Sequence, residues 1–158
     1  MLRFTFTPNM GKYQITDETN RTLYSIKRRL RGGYVVRDAN KYELYTLAAG
    51  SDEMHPVYQI EHNNKKFAEI RCVSKLFEPR MELEHDKQIL VIKATSDSHL
   101  GYRILKEKKE VGKLEVFPMP RGELKFEFQI EQSVFDDFLL FIPLATAESI
   151  TPITTPTK

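Results

Sequence analysis

The chain has 158 residues, 29% of them charged and 41% hydrophobic, with a formal net charge of +2. This balance suits one soluble globular domain with a sizeable core. A single cysteine, Cys72, excludes an internal disulfide and favours a reducing, cytoplasmic setting, where the thiol is expected to act as a small buried hydrophobe.

The start, "MLRFTFTPNM", lacks a basic stretch followed by an apolar one, so no signal peptide is expected. Within it "LRFTFT" alternates, setting Leu2, Phe4 and Phe6 against Arg3, Thr5 and Thr7. That period of two predicts a half-buried antiparallel strand. Similar strands follow along the chain. "RMELEHD" sets Met81 and Leu83 against Arg80, Glu82 and Glu84, and "KFEFQIE" sets Phe126, Phe128 and Ile130 against charged neighbours. Short polar segments predict the turns between strands: "DETN", "RDANK", "HNNKK", "HDKQ" and "KEKKE".

Charge is spread unevenly. Residues 1–50 hold nine Lys/Arg and four Asp/Glu, a balance of +5; the remaining 15 and 18 give −3. The excess centres on "IKRRLRGG", where Lys27, Arg28, Arg29 and Arg31 form the candidate anion-binding residues. Alternation should turn Lys27 and Arg29 one way and Arg28 the other, so a bend at "RLRGG" is needed for them to converge. A solvated strand end and turn is the plainer reading of the same run.

A longer period overlies the strands. "YQI" begins at Tyr13 and Tyr58, and "YRI" at Tyr102, with Ile26, Ile70 and Leu114 at corresponding later positions. Two units of four strands follow the first strand, at Tyr34–Asp38 and Tyr42–Leu47, then Arg80–His85 and Ile89–Ala94; a third unit of three ends at Glu123–Glu131. The sum, 1 + 4 + 4 + 3, predicts twelve strands. Three units are too few for a propeller, so a closed antiparallel barrel is expected, with the first strand completing the third unit.

A barrel of about twelve strands is too wide for its own side chains to fill. The segment "SVFDDFLLFIPLATAES" supplies a filling: Phe135, Phe138, Leu139, Leu140, Phe141, Ile142 and Leu144 are apolar on every face, as a helix buried all round requires. Ser133 is the expected N-cap, with Asp136 and Asp137 at the positive helix end. Burying seven such side chains contributes roughly 10–20 kcal/mol. That outweighs the ~3 kcal/mol penalty of Pro143 in a helix interior, with a kink or helix end near Ile142. One more strand through "FLLFIP" is the rival reading. The apolar run of about ten residues is too short to span a bilayer, which takes about 20. Residues 1–150 thus read as one domain, and 151–158 as a disordered tail.

The segments "YQITDETNRTLYSIKRRL", "YQIEHNNKKFAEIRCVSKLFEPRMELEHDKQILVIKA", "GYRILKEKKEVGKLEVF" and "DDFLLFIPLATAES" together span nearly the whole chain. In their order and spacing the sequence resembles the tubby C-terminal-like superfamily, specifically small bacterial members related to LURP-one proteins. The resemblance implies a twelve-stranded antiparallel barrel threaded by a hydrophobic C-terminal helix. Tubby domains bind phosphoinositides. Phospholipid scramblases of the same superfamily add a palmitoylated cysteine cluster and a calcium-binding segment. This chain has one cysteine and no Asp-x-Asp-x-Asp-Gly loop, which argues against scramblase activity.

No motif for chemistry emerges. "RGGY" is a turn rather than a phosphate loop, and no Gly-x-Ser-x-Gly elbow occurs. His55, His62, His85 and His99 lack metal-ligand spacing and are expected on the surface. Glu82 and Glu84 read as a solvated strand face. The expectation is therefore a non-enzymatic protein without cofactor or metal. It would be cytoplasmic, peripheral to a membrane, and bind anionic phospholipid or phosphoinositide headgroups. A protein-interaction or scaffold domain is the alternative. A small-molecule carrier is disfavoured by a filled lumen, and a nucleic-acid partner by the small size of the basic cluster.

Overall fold

The computed structural model describes residues 1–30, 32–48, 55–74, 79–95 and 100–149. The predicted tail 151–158 lies outside them. Twelve strands form: β1 Leu2–Asn9, β2 Lys12–Thr16, β3 Thr22–Arg28, β4 Tyr34–Asp38, β5 Glu43–Ala48, β6 Val57–His62, β7 Lys65–Ser74, β8 Arg80–His85, β9 Gln88–Ala94, β10 Gly101–Lys106, β11 Lys109–Pro118 and β12 Leu124–Ile130. Each pairs antiparallel with its chain neighbours, and β1 closes the barrel on β12, from Leu2 opposite Ile130 to Phe6 opposite Phe126. The predicted closure by the first strand holds.

The threefold repeat is a repeat of register. Tyr13 opposes Ile26, Tyr58 opposes Ile70, and Tyr102 opposes Leu114. In all three hairpins the register then shifts after the isoleucine, at Ile15, Ile60 and Ile104. These bulges sharpen strand bend and twist, which a closing sheet needs. All three isoleucines are fully buried, as is Phe6 beside Phe126 and Phe128. Alternate residues therefore face one continuous core, and Cys72 lies within it.

The lumen is filled as predicted, and the filling segment divides near Ile142, where Pro143 predicts a kink or helix end. A 3₁₀ helix spans Asp137–Phe141, and α1 spans Ile142–Ser149. Pro143 explains the division. A proline ring clashes with the carbonyl four residues back, here that of Leu139, so an α-helix cannot run through it from upstream. The chain tightens instead, and the Ile142 N–H donates to the Leu139 carbonyl three residues back. Pro143 then sits in the first turn of α1, where its missing donor costs nothing. The N-cap is Asp136, whose carboxylate accepts from the Asp137 N–H; Ser133 is an exposed turn residue. Phe135 precedes the helix and is half-buried, its ring 5.0 Å from that of Phe4. Phe138, Leu139, Leu140, Phe141, Ile142 and Leu144 are buried. No described helix is long and apolar enough to cross a membrane.

This central segment gives the barrel two distinguishable ends. It enters the lumen beside the turns β2–β3, β4–β5, β6–β7, β8–β9 and β10–β11. It finishes at Ser149 beside the turns β1–β2, β3–β4 and β11–β12. The first is the entrance end, the second the exit end.

Candidate functional site

The basic cluster lies at the exit end, where β3 runs into the β3–β4 turn. Ile26 points into the barrel and Lys27 out, as alternation requires. Arg28 turns back over the rim. Its Nη2 donates to the Tyr34 hydroxyl at 3.1 Å, and its guanidinium carbon stands 5.5 Å from the Tyr34 ring centre. The Tyr34 hydroxyl in turn donates to Glu148 Oε1 at 2.7 Å. Burial, then the bond to Glu148 and its charge, push the Tyr34 phenol up to about 12. The Tyr34–Glu148 bond thus ties the end of α1 to β4, with Arg28 bracing the Tyr34 hydroxyl, and of the described members of the predicted set Arg28 is the one already engaged. Arg31 lies outside the described residues.

Lys27 and Arg29 remain exposed, and the register adds a residue that the sequence reading missed. Lys12 of β2 is directly opposite Lys27 of β3. Like charges so placed repel. None of the ion pairs between described residues involves Lys12, Lys27 or Arg29. Two outer grooves flank Lys27. One, of about 270 Å³, is lined by Arg29, Leu30, Val35 and Arg37; the other, of about 360 Å³, by Lys12, Gln14, Ser25 and Lys41. Arg37 lines both, paired with Glu43 at 3.0 Å, while its buried Nε has no hydrogen-bond partner among the described residues. The arrangement is a positive outer surface with donors to spare.

A third cleft, of about 390 Å³, opens over the lumen at the same end, between Gly11, Lys12, Arg28, Tyr34, Gly122 and Glu148. Tyr13 borders it, its phenol raised by burial and then by the charges of Glu123 and Glu148. Nearby, Ser149 Oγ donates to the Tyr58 hydroxyl at 3.0 Å. At the entrance end Tyr24 donates to Asp137 Oδ1 at 2.6 Å, and burial followed by that bond raises its phenol well above the usual range. Tyrosine–carboxylate bonds therefore secure the central segment at both ends. Their partners are 113 and 114 residues apart, too far for any local pattern to announce them.

The expectation of surface histidines needs correction at His85. Its ring stacks on Phe67 with centres 4.2 Å apart, touches Phe138, and places Nδ1 2.9 Å from the Phe67 carbonyl oxygen. His62 is exposed and places Nδ1 3.1 Å from the Leu44 oxygen. His99 is outside the described residues. No group of three potential metal ligands occurs among the described residues.

No protein-family model matches the sequence, and no curated protein matches it. Among solved structures, the chain is similar to the X-ray structure of a protein from Arabidopsis thaliana, AT5G01750, at 13% identity and a TM-score of 0.64. The match covers 98% of this chain and 91% of that one. It supports the barrel fold over essentially the full length.

Proposed function

We propose that the chain is a non-enzymatic barrel domain of the tubby-like, LURP-one-related kind that binds anionic phosphate groups, such as those of membrane lipid headgroups. The opposed pair Lys12 and Lys27 carries this reading, because it holds like charges together with no carboxylate partner among the described residues. Two lysines so placed gain most from a shared anion. Arg29 and the unpartnered Nε of Arg37 add donors around the same grooves. Arg28 plays a structural part, holding Tyr34. In this reading the protein is cytoplasmic and peripheral to a membrane.

Co-sedimentation with phosphatidylglycerol or phosphoinositide vesicles tests the proposal. The variant Lys12→Ala/Lys27→Ala/Arg29→Ala leaves Arg28 in place and so keeps its bond to Tyr34, the residue that holds α1. Each cation near an anionic surface contributes about 1 kcal/mol, so the triple variant should bind on the order of 100-fold more weakly. Wild-type binding should also fall as salt rises. Equal binding by the two proteins would overturn the assignment. Wild type remaining in the supernatant at low salt would leave a protein-interaction domain as the reading.

A further inference from the structure

The two ends of the barrel use the same backbone turns with different side chains. Two-residue turns with both residues at positive φ occur at Asn63–Asn64, Asp86–Lys87 and Glu107–Lys108, all at the entrance end, and at Met10–Gly11 at the exit end. Such turns favour Asn or Asp followed by Gly. Met10 instead adopts φ 53° with 90% of its surface exposed. Backbone preference selects methionine there no more than it selects Lys87, Glu107 and Lys108 at the entrance end; what sets Met10 apart is an exposed apolar side chain at a turn tip.

A second turn class repeats the contrast. Asp17–Arg21 and Asp38–Tyr42 at the entrance end share their main-chain hydrogen bonds with Arg29–Gly33 and Met119–Glu123 at the exit end. In the first two, the leading aspartate also accepts from two main-chain N–H groups. In the second two, the leading residue is Arg29 or Met119, which accepts from none. Leu30, next in the β3–β4 turn, is fully exposed, and Met119 is 37% exposed.

Met10, Leu30 and Met119 crown three neighbouring hairpins, since β12, β1, β2 and β3 are adjacent. Each has a cation within two residues: Lys12, Arg29 and Arg121. Among the described residues lining the cleft at this rim, the carboxylates are Glu148, bonded to Tyr34, and Glu123. We infer that this rim docks on an anionic bilayer, its cations on the headgroup phosphates and the tips of Met10, Leu30 and Met119 in the interfacial layer beneath. The inference rests on the headgroup reading above and adds an insertion step to it. Charge complementarity argues for the occupant, and so does shape. The tips sit on three separate turns, each beside its own cation, and two of those turns border the open cleft through Gly11 and Gly122. Separate apolar points flanked by cations suit a soft interface, which each can enter independently.

The chain contains no tryptophan, so single-tryptophan reporters are available. Leu30→Trp and Met10→Trp report the exit end, and Tyr42→Trp, at an exposed entrance-end site, is the control. With phosphatidylglycerol vesicles, the first two should shift their emission to shorter wavelength and be quenched by lipids brominated on the acyl chains; the control should do neither. Met10→Ser/Leu30→Ser/Met119→Ser should lower affinity on the order of tenfold, and the residual binding should vanish with salt. Wild type that sediments while the Leu30→Trp and Met10→Trp emissions stay unshifted would overturn insertion and leave headgroup binding standing. No sedimentation at all would overturn both. An emission shift that grows with protein concentration without vesicles would assign the tips to a second copy and overturn the inference.

Discussion

The entrance and exit ends of this barrel are built on one plan and decorated in opposite ways. At the entrance end Asn63 and Asn64 hold positive φ and Asp17 and Asp38 accept from nearby N–H groups, although Lys87, Glu107 and Lys108 hold positive φ there as well. The side-chain bond to Thr19, and then the Arg21 N–H, hold the Asp17 carboxyl below its usual value. At the exit end the corresponding positions carry Met10, Arg29 and Met119. The entrance end also receives the aromatic group of Tyr45, Phe67, His85 and Phe138. Aspartates that accept from turn N–H groups at one end, and exposed apolar tips at Met10, Leu30 and Met119 at the other, form the pattern expected when one end serves folding and the other contact.

The most severe test strikes what both ends share. Leu140 is fully buried midway along the central segment. Leu140→Asp would place an unpaired carboxylate among the core side chains, at a cost of several kcal/mol against a typical total stability of about 5–15 kcal/mol. The variant should fail to fold, shown by loss of a cooperative thermal transition. A wild-type-like transition would break the comparison at its root, because the ends would then not depend on a common plug.

The two ties give a finer test. Tyr24→Phe strands the half-buried Asp137 carboxylate and should cost about 1–3 kcal/mol. Tyr34→Phe leaves the exposed Glu148 free to meet water, at about 0.5–1.5 kcal/mol. Both phenols are raised in the folded chain above their unfolded value of about 10, Tyr34 to about 12. Above pH ~10 the native state therefore binds more protons than the unfolded state, and stability falls with rising pH. The contribution is complete below pH ~10, and that of Tyr34 is lost by about 12. Urea denaturation from pH 8 upward should show a shallower alkaline decline in either Phe variant. Equal costs for the two at neutral pH would erase the claimed difference between a stabilising end and a working one.

Much of this architecture is legible in the sequence, and unevenly so. Every turn read from polar composition, from "DETN" to "KEKKE", lies at the entrance end, whereas the described exit-end turns place glycine at positive φ, at Gly11, Gly32, Gly33 and Gly122. Strand alternation and the Tyr13, Tyr58, Tyr102 period yield twelve strands because a closed sheet buries one face of each strand. The central segment is legible as an apolar run and its division near Ile142 from Pro143; the cap is not, since Asp136 takes the place expected for Ser133. At the site, Lys27 and Arg29 are legible by charge, whereas Lys12 requires the β2–β3 register, and the engagement of Arg28 requires the turn that brings Tyr34 back over it.

The smallest expected effect separates the two ends most sharply. Met10 holds φ 53° and is followed by Gly11 at φ 82°, the geometry that Asn-Gly satisfies best. Residues other than Gly, Asn and Asp pay roughly 1–2 kcal/mol in this region, so Met10→Asn should stabilise the fold by up to about 1 kcal/mol. The same change removes an exposed apolar tip, so it should weaken vesicle binding. A gain in thermal stability paired with a loss in binding identifies a residue kept against the preference of its own backbone. At the entrance end the opposite change, Asn63→Met, should cost stability by a similar amount and leave vesicle binding unchanged. If Met10→Asn raises stability without touching binding, the methionine has no part in contact, and the difference between the ends reduces to the charges of Lys12, Lys27 and Arg29.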